Sequence, residues 1–156
     1  MARSLGPRLT ADLLARLSQA DLVPLLGRVL PLITVDADGR PHPMLCSYLE
    51  LRAVDAGTLR VAIGAGSGSA RNLVERGVAT LLIVEAGRAV YVKCRATGPA
   101  VERGVLARFE LAVLDVLEDA AAGWEGDAGI TGGITYGPVP DLGQSWAREL
   151  LALLAE

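Results

Sequence analysis

The sequence contains 156 residues, of which 51% are hydrophobic and 21% are charged, and its formal net charge at pH 7 is −3. These values indicate a globular chain long enough to bury a core, and they exclude an intrinsically disordered one. Because the charge is slightly negative and no basic stripe stands out, nucleic acid is not an expected partner.

The chain carries no evident targeting or metal-binding signal. Its first residues lack the apolar core of a secretory leader, and no apolar run reaches the about 18 residues of a membrane-spanning helix. Cys46 and Cys94 lack metal-ligand spacing and are too few for a disulfide framework. We therefore expect a cytoplasmic protein without a membrane partner or a metal site.

The first 28 residues predict two N-terminal helices. In the first, Leu13, Leu14 and Leu17 share one apolar side. The second begins near 18–21 and contains Pro24, a residue that the first turn of a helix tolerates. Both helices are expected to flank the remainder of the domain.

Residues 29–99 predict the strands of a barrel core. Gly39, Gly57 and Gly87 mark tight turns that separate apolar runs typical of strands. A short helix over 69–76 interrupts the series. The predicted strands are 30–35, 41–51, 58–63, 78–84 and 89–97, the last of which is stopped by the Gly-Pro pair that follows it.

The remainder, residues 100–156, predicts mainly helix and completes a single domain over residues 1–156. Its longest predicted helix is apolar over so much of its surface that it needs more than one packing partner, such as a second copy of the chain or the sheet. The final helix is expected to bury Trp146. The predicted segments are a long helix over 103–122, a glycine-rich segment over 123–143 with a candidate sixth strand at 131–136, and a helix over 142–154.

A glycine- and serine-rich turn, Gly-Ala-Gly-Ser-Gly-Ser over 64–69, follows a predicted strand and opens the short helix. A helix start offers unpaired backbone N–H groups and partial positive charge, and glycines allow a ligand to approach closely. With hydroxyls at Ser67 and Ser69 and the guanidinium of Arg71, this turn suits an anionic group such as a phosphate. The alternative is an ordinary turn in which Ser69 is the N-cap.

The same turn nearly matches the glycine pattern of dinucleotide-binding folds, and Glu85 follows at about the expected distance. The short helix and the hairpins predicted at 36–39 and 85–88 favour an antiparallel barrel instead, because parallel strands need a longer crossover. A P-loop is excluded because no Lys-Ser/Thr pair follows the glycines.

Two single residues remain open to more than one interpretation. His42 is the only histidine, and without a nucleophile elbow it is expected to lie on the surface or to line a site rather than to form a catalytic triad. Lys93 shares a strand face with Tyr91 and Arg95, where it could meet a phosphate or a flavin ring, or be simply solvated.

Three stretches together carry a resemblance to a known family: ITVDADGRPH (33–42), TLRVAIGAGSGSARNL (58–73) and VYVKCRA (90–96). Their order resembles that of the FMN-binding split β-barrel of pyridoxamine 5′-phosphate oxidase-like proteins. The resemblance implies an α+β, mostly β fold: a six-stranded antiparallel split β-barrel with flanking helices.

The resemblance also implies a homodimer with FMN at the subunit interface. Ser67 matches the serine that holds the FMN phosphate, Asn72 matches a polar position of the helix that follows, and two strands supply backbone contacts to the flavin ring. The expected cofactor-binding residues are Met44, Leu45, Cys46, Ser47, Ile63, Gly64, Ser67, Ser69, Arg71, Asn72 and Lys93.

The function implied is that of an FMN-dependent oxidoreductase acting on a small-molecule substrate or electron donor, with catalytic residues unassigned. The alternative is a non-catalytic dimeric module that carries or senses a flavin, a deazaflavin or a haem, or that has lost its cofactor.

Overall fold

The computed structural model describes residues 1–156 as an eight-stranded antiparallel sheet with three α-helices and two 3₁₀ turns. The strands are β1 (Ala2–Gly6), β2 (Val29–Val35), β3 (Pro41–Ser47), β4 (Leu51–Asp55), β5 (Thr58–Gly64), β6 (Val78–Glu85), β7 (Arg88–Arg103) and β8 (Leu106–Asp119). The helices are α1 (Ala11–Leu17), α2 (Gly68–Glu75) and α3 (Ser145–Ala155), and the 3₁₀ turns are Val23–Leu25 and Gly123–Glu125. No helix combines the length and apolarity needed to cross a membrane.

The sheet runs in the order β3-β2-β6-β7-β8-β5-β4, and β1 pairs with β8 outside this path. Its two end strands, β3 and β4, are joined by only three residues, so the sheet must curl until its ends come together. Alternate residues of the strands, such as Leu32, Val61, Leu81, Val92 and Leu111, fill the interior and are fully buried. The expected mostly β split barrel is confirmed, with eight strands instead of six.

Three predicted hairpin turns are present. Val35 pairs with Pro41 around Gly39, Asp55 pairs with Thr58, and Glu85 pairs with Arg88. Gly39 and Gly87 have φ of 77° and 87°, a region that favours glycine. Local turn chemistry therefore determined these connections.

The long helix predicted over 103–122 is wrong, because this stretch forms β8. Ala107, Phe109, Leu111 and Val113 are all buried and lie two residues apart, which is a strand period, and a bulge then shifts the register before Val116. Gly104, with φ of 59°, forms the turn between β7 and β8. Since no long helix exists, its wide apolar surface is no argument for a second subunit.

Two predicted strand ends are also wrong. β7 continues past Gly98 and Pro99, because an irregularity in its pairing with β8 between Thr97 and Val101 absorbs the glycine and the proline. β3 ends at Ser47, where a turn starts β4 as a separate strand, instead of continuing through Leu51.

The chain termini differ from expectation as well. β1 was not predicted, the second N-terminal helix is only a 3₁₀ turn, and barrel strands extend to Asp119 rather than ending near residue 99. The candidate strand at 131–136 reduces to a single bridge between Arg28 and Thr135. The C-terminal helix is present, but Trp146 is 45% exposed instead of buried.

The glycine-rich segment inserts between β2 and the β6–β7 hairpin. Val29 N donates to Ile134 O at 2.9 Å, and Gly87 N donates to Ile130 O at 2.7 Å. A Cβ on Gly133 would lie 2.8 Å from Val84 O, so only glycine fits there without a shift of the backbone. The segment thereby fills the gap where β2 and β6 separate.

Candidate functional site

The turn between β5 and α2 forms the first half of the candidate site. Ser67 is the N-cap of α2, and its Oγ accepts a hydrogen bond from Ala70 N at 3.1 Å. The cap is therefore Ser67 and not Ser69, the residue expected if this were an ordinary turn.

Open space lies beside the first two glycines of this turn. A Cβ on Gly64 or Gly66 would meet nothing within 4 Å. A Cβ on Gly68 would instead lie 3.2 Å from His42 Nε2, so the imidazole covers the third glycine. The turn is thus a shallow cradle that is open at Gly64 and Gly66 and walled by His42 at Gly68.

Positive charge and free donors line this cradle. The N–H groups of the exposed Gly66 and Gly68 have no hydrogen-bond acceptor within the chain, and the dipole of α2 adds partial positive charge. Arg71 is exposed and forms no ion pair. This arrangement can hold a small anion.

Two other predicted residues of this turn lie beneath it. Ser69 is 2% exposed and Asn72 is 6% exposed. Asn72 Nδ2 donates to Thr34 Oγ1 at 2.9 Å, and Thr34 Oγ1 donates to the carbonyl oxygen of His42 at 3.3 Å. Asn72 therefore fastens α2 to β2 and, through Thr34, to the backbone of His42 on β3.

The far end of β3 forms the second half of the candidate site. At roughly 3.3 Å per residue, the seven residues of β3 carry the chain about 20 Å away from the cradle. There the strand borders a cleft of about 430 Å³ between β3, the turn that follows it and the C-terminal region. Its lining residues are Val29, Leu45, Cys46, Ser47, Glu50, Tyr136, Pro140, Trp146 and Leu150. Of the predicted ring contacts, Leu45, Cys46 and Ser47 line this cleft, whereas Met44, Ile63 and Gly64 do not.

Glu50 is the only charged residue in the cleft lining. Its Oε2 accepts a hydrogen bond from Ser47 N at 2.6 Å, and burial raises the pKa of its carboxyl group. Burial, with a smaller contribution from the Glu50 charge, also raises the pKa of the Cys46 thiol well above its usual range. Cys46 is therefore not a thiolate nucleophile at neutral pH.

Lys93 and Ile63 lie apart from both halves. Ile63 is fully buried inside the barrel. Lys93 is exposed on the outer face of β7, where the pairing register aligns it with Thr80 of β6 and Ile33 of β2. The structure thus divides the predicted residues among the cradle, the cleft, the interior and the outer face.

Sequence reasoning missed two residues that shape these sites. It left the role of His42 open, although its pairing with Thr34 at the barrel end places it beside α2. Glu50 carries no sequence signal, because nothing in the sequence shows that a glutamate within a turn will be half-buried.

Solved structures of very different sequence share this fold. A protein from Lactobacillus delbrueckii, provisionally named a pyridoxamine 5′-phosphate oxidase, superimposes with a TM-score of 0.56 at 18% identity, covering 73% of this chain and 98% of its own. An FMN-binding protein from Syntrophomonas wolfei gives 0.55 at 12% identity over 71% and 88%. HupZ from Group A Streptococcus gives 0.55 at 15% identity over 71% and 99%. No family model and no curated protein matches the sequence.

Proposed function

We propose, on the premise that this chain has the split-barrel fold of pyridoxamine 5′-phosphate oxidase-like proteins, that it binds FMN and acts as a flavin-dependent oxidoreductase on a small molecule. The observation that carries this proposal is the open cradle at the start of α2. There, the unpaired N–H groups of the exposed Gly66 and Gly68 lie beside a glycine gap, and the free guanidinium of Arg71 follows in α2.

The residues of the cradle fit the phosphate end of FMN. The backbone donors and Arg71 would hold its charge, and Ser67 could donate its hydroxyl proton while its oxygen caps α2. β3 runs from this point towards the cleft, so Leu45, Cys46 and Ser47 would border the ring end. Bound FMN would supply hydride or single-electron chemistry, while the chain supplies binding and orientation.

The proposal includes a homodimer formed through the outer face of the sheet. By strand alternation, Pro31 and Ile33 of β2, Leu45 of β3 and Leu82 of β6 point away from the buried interior. Leu45 is 61% exposed. A contiguous apolar face of this kind favours a subunit contact.

A second candidate function is flavin binding without turnover. Its support is that Arg71 is the only cationic residue in the turn and α2, residues 64–75. A single charge-assisted contact favours weak retention of a dianionic phosphate. Flavin that binds but is not reduced by NAD(P)H would indicate this function, and steady turnover with a nicotinamide donor would exclude it.

The proposed phosphate site is tested by filling the cradle. Purified protein should bind FMN in a fluorescence titration, and Gly66→Val should weaken this binding strongly, because its side chain would occupy the open space into which the phosphate is proposed to bind. Gly132→Val is the matched control, since a Cβ there also meets nothing within 4 Å. Arg71→Ala should raise the dissociation constant by roughly 10- to 150-fold.

Failure would be evident in either of two ways. A colourless protein that does not bind added FMN would contradict the proposal. Equal FMN affinities of wild type and Gly66→Val would show that the phosphate does not bind at this turn. Unchanged far-UV circular dichroism of both valine variants separates loss of binding from loss of fold.

A further inference from the structure

The cleft at the end of β3 has the size and the lining of a small-molecule site. Its volume of about 430 Å³ lies within the usual range for ligand pockets, and apolar side chains form most of its wall. Tyr136 and the 45% exposed Trp146 present aromatic rings there. Aromatic surfaces of this kind favour a flat apolar ligand.

The charge of the lining restricts that ligand further. Glu50 is half-buried, no arginine or lysine forms an ion pair with it, and no basic residue lines the cleft. The carboxylate accepts hydrogen bonds from Ser47 alone, through its backbone N–H at 2.6 Å and through its hydroxyl, and neither donor carries a charge. A partly desolvated carboxylate without a counter-charge is unfavourable, so a cation entering the cleft would stabilise it.

The wall that faces Glu50 is firmly held. Trp146 and Leu150 belong to α3, whose last carbonyl groups accept hydrogen bonds from two barrel arginines. Arg60 Nη1 donates to Leu154 O at 3.0 Å, and Arg108 Nη1 donates to Leu153 O at 3.2 Å. The cleft is therefore formed before a ligand arrives, and binding need not order its wall.

We infer that this cleft binds a compact aromatic molecule that carries one protonated amine, with Glu50 as the counter-charge and Trp146 as an aromatic wall. An ammonium group can interact with both the carboxylate and the face of the indole ring. Phosphate and carboxylate groups find no positive partner in the lining and are disfavoured. That the amine lies beside a flavin rests on the proposed function, whereas the amine site rests only on residues of this chain.

The test uses 2-phenylethylamine as the probe and cofactor-free protein as the target. In a Trp124→Phe background, Trp146 is the only tryptophan, so quenching of its fluorescence reports binding in the cleft. The amine should bind at least tenfold more tightly than 2-phenylethanol, which has the same shape but no charge. Phenylacetate should bind least.

Glu50→Gln keeps the shape of the side chain and removes its charge. This variant should bind the amine and the alcohol equally, whereas Glu102→Gln, an exposed and unpaired glutamate on β7, should keep the preference for the amine. Equal binding of the two probes by the parent protein, or an unchanged preference in Glu50→Gln, would overturn the inference. If the Glu50→Gln variant fails to fold, the comparison of amine and alcohol binding by the protein that retains Glu50 still tests the inference.

The amine titration and the FMN titration fail independently. Loss of FMN binding with an intact amine preference would reject the proposed function and keep this site. FMN binding without any preference for the amine would support the proposed function and reject the amine site.

Discussion

Arg88 brings three carboxylates together around one guanidinium. Its nitrogens lie 2.6 Å from Asp12 Oδ2, 2.6 Å from Glu85 Oε1 and 3.2 Å from Glu118 Oε2. The group joins α1 to the β6–β7 hairpin and to β8, which are far apart in the sequence. The pair with Glu85 is local to the predicted hairpin, whereas the pairs with Asp12 and Glu118 join elements that only tertiary structure brings together.

Asp12 makes this cluster sensitive to acid. The hydroxyl of Thr10 and then the guanidinium of Arg88 lower the pKa of the Asp12 carboxyl from 3.8 to about 2. Since the folded-state pKa is depressed, the resulting stabilisation is present above about pH 4 and is lost as the pH falls towards 2. Asp12→Asn should therefore lower the urea midpoint at pH 7, and its difference from wild type should shrink across that interval.

The control for this prediction is Asp21→Asn, which changes an exposed aspartate that makes no ion pair or side-chain hydrogen bond. Its urea midpoint should follow that of wild type at every pH. A pH-independent difference between wild type and Asp12→Asn would show that the carboxylate charge does not stabilise the fold.

At the scale of the elements, Arg60 connects α3 to the barrel. Its Nε lies 3.0 Å from Glu110 Oε1 on β8, and its Nη1 donates to the carbonyl oxygen of Leu154. A cation at the C-terminal end of a helix satisfies free carbonyl groups and complements the helix dipole. Arg60 thus holds the wall of the cleft from below.

Replacing Arg60 should loosen this attachment. Arg60→Met removes two charge-assisted contacts and should lower the free energy of unfolding by about 1.5–3 kcal/mol. Amide hydrogen exchange should speed up in α3 more than in β6. One lost contact is to the last turn of the helix and the other is the ion pair with Glu110 on β8, whose backbone pairing is unchanged, so the barrel should stay folded.

Arg52 offers a matched control. It pairs directly with Arg60 across β4 and β5 but makes no ion pair. Because like charges opposite each other are unfavourable, Arg52→Met should be neutral or slightly stabilising. Similar exchange rates in α3 for the two variants would contradict the role given to Arg60.

At the scale of the whole molecule, the outer face of the sheet determines the proposed assembly. Ile33→Glu places a charge at the centre of that face, between β3 and β6. Light scattering should show wild type at twice the 16.3 kDa chain mass and this variant at one chain mass, because burying an unpaired charge is costly.

Val105→Glu is the control, since Val105 is 82% exposed in the β7–β8 turn and belongs to none of the strands β2, β3 and β6 that form that face. This variant should remain dimeric. A wild type that is monomeric at micromolar concentration, or an Ile33→Glu variant that is still dimeric, would reject the outer face as the interface.

Local chemistry made much of the barrel predictable. The hairpins at Gly39 and Gly87 and the strand, turn and helix around Ser67 follow from residues adjacent in sequence, because turn and cap preferences act over a few positions. The helix predicted over 103–122 was wrong because its structure depends on distant segments. Its apolar residues fit a helical and a strand period almost equally. Hydrogen-bonded pairing with β5 and β7 stabilises the strand.

The sequence by itself thus determined the strand-rich barrel and the glycine turn that opens α2, since both depend on short-range backbone preferences. Tertiary structure alone decided that His42 covers Gly68, that Ser69 and Asn72 are buried, and that Glu50 faces a cleft walled by α3. Burial and charge environment depend on which distant segments pack together, and no local pattern encodes that choice.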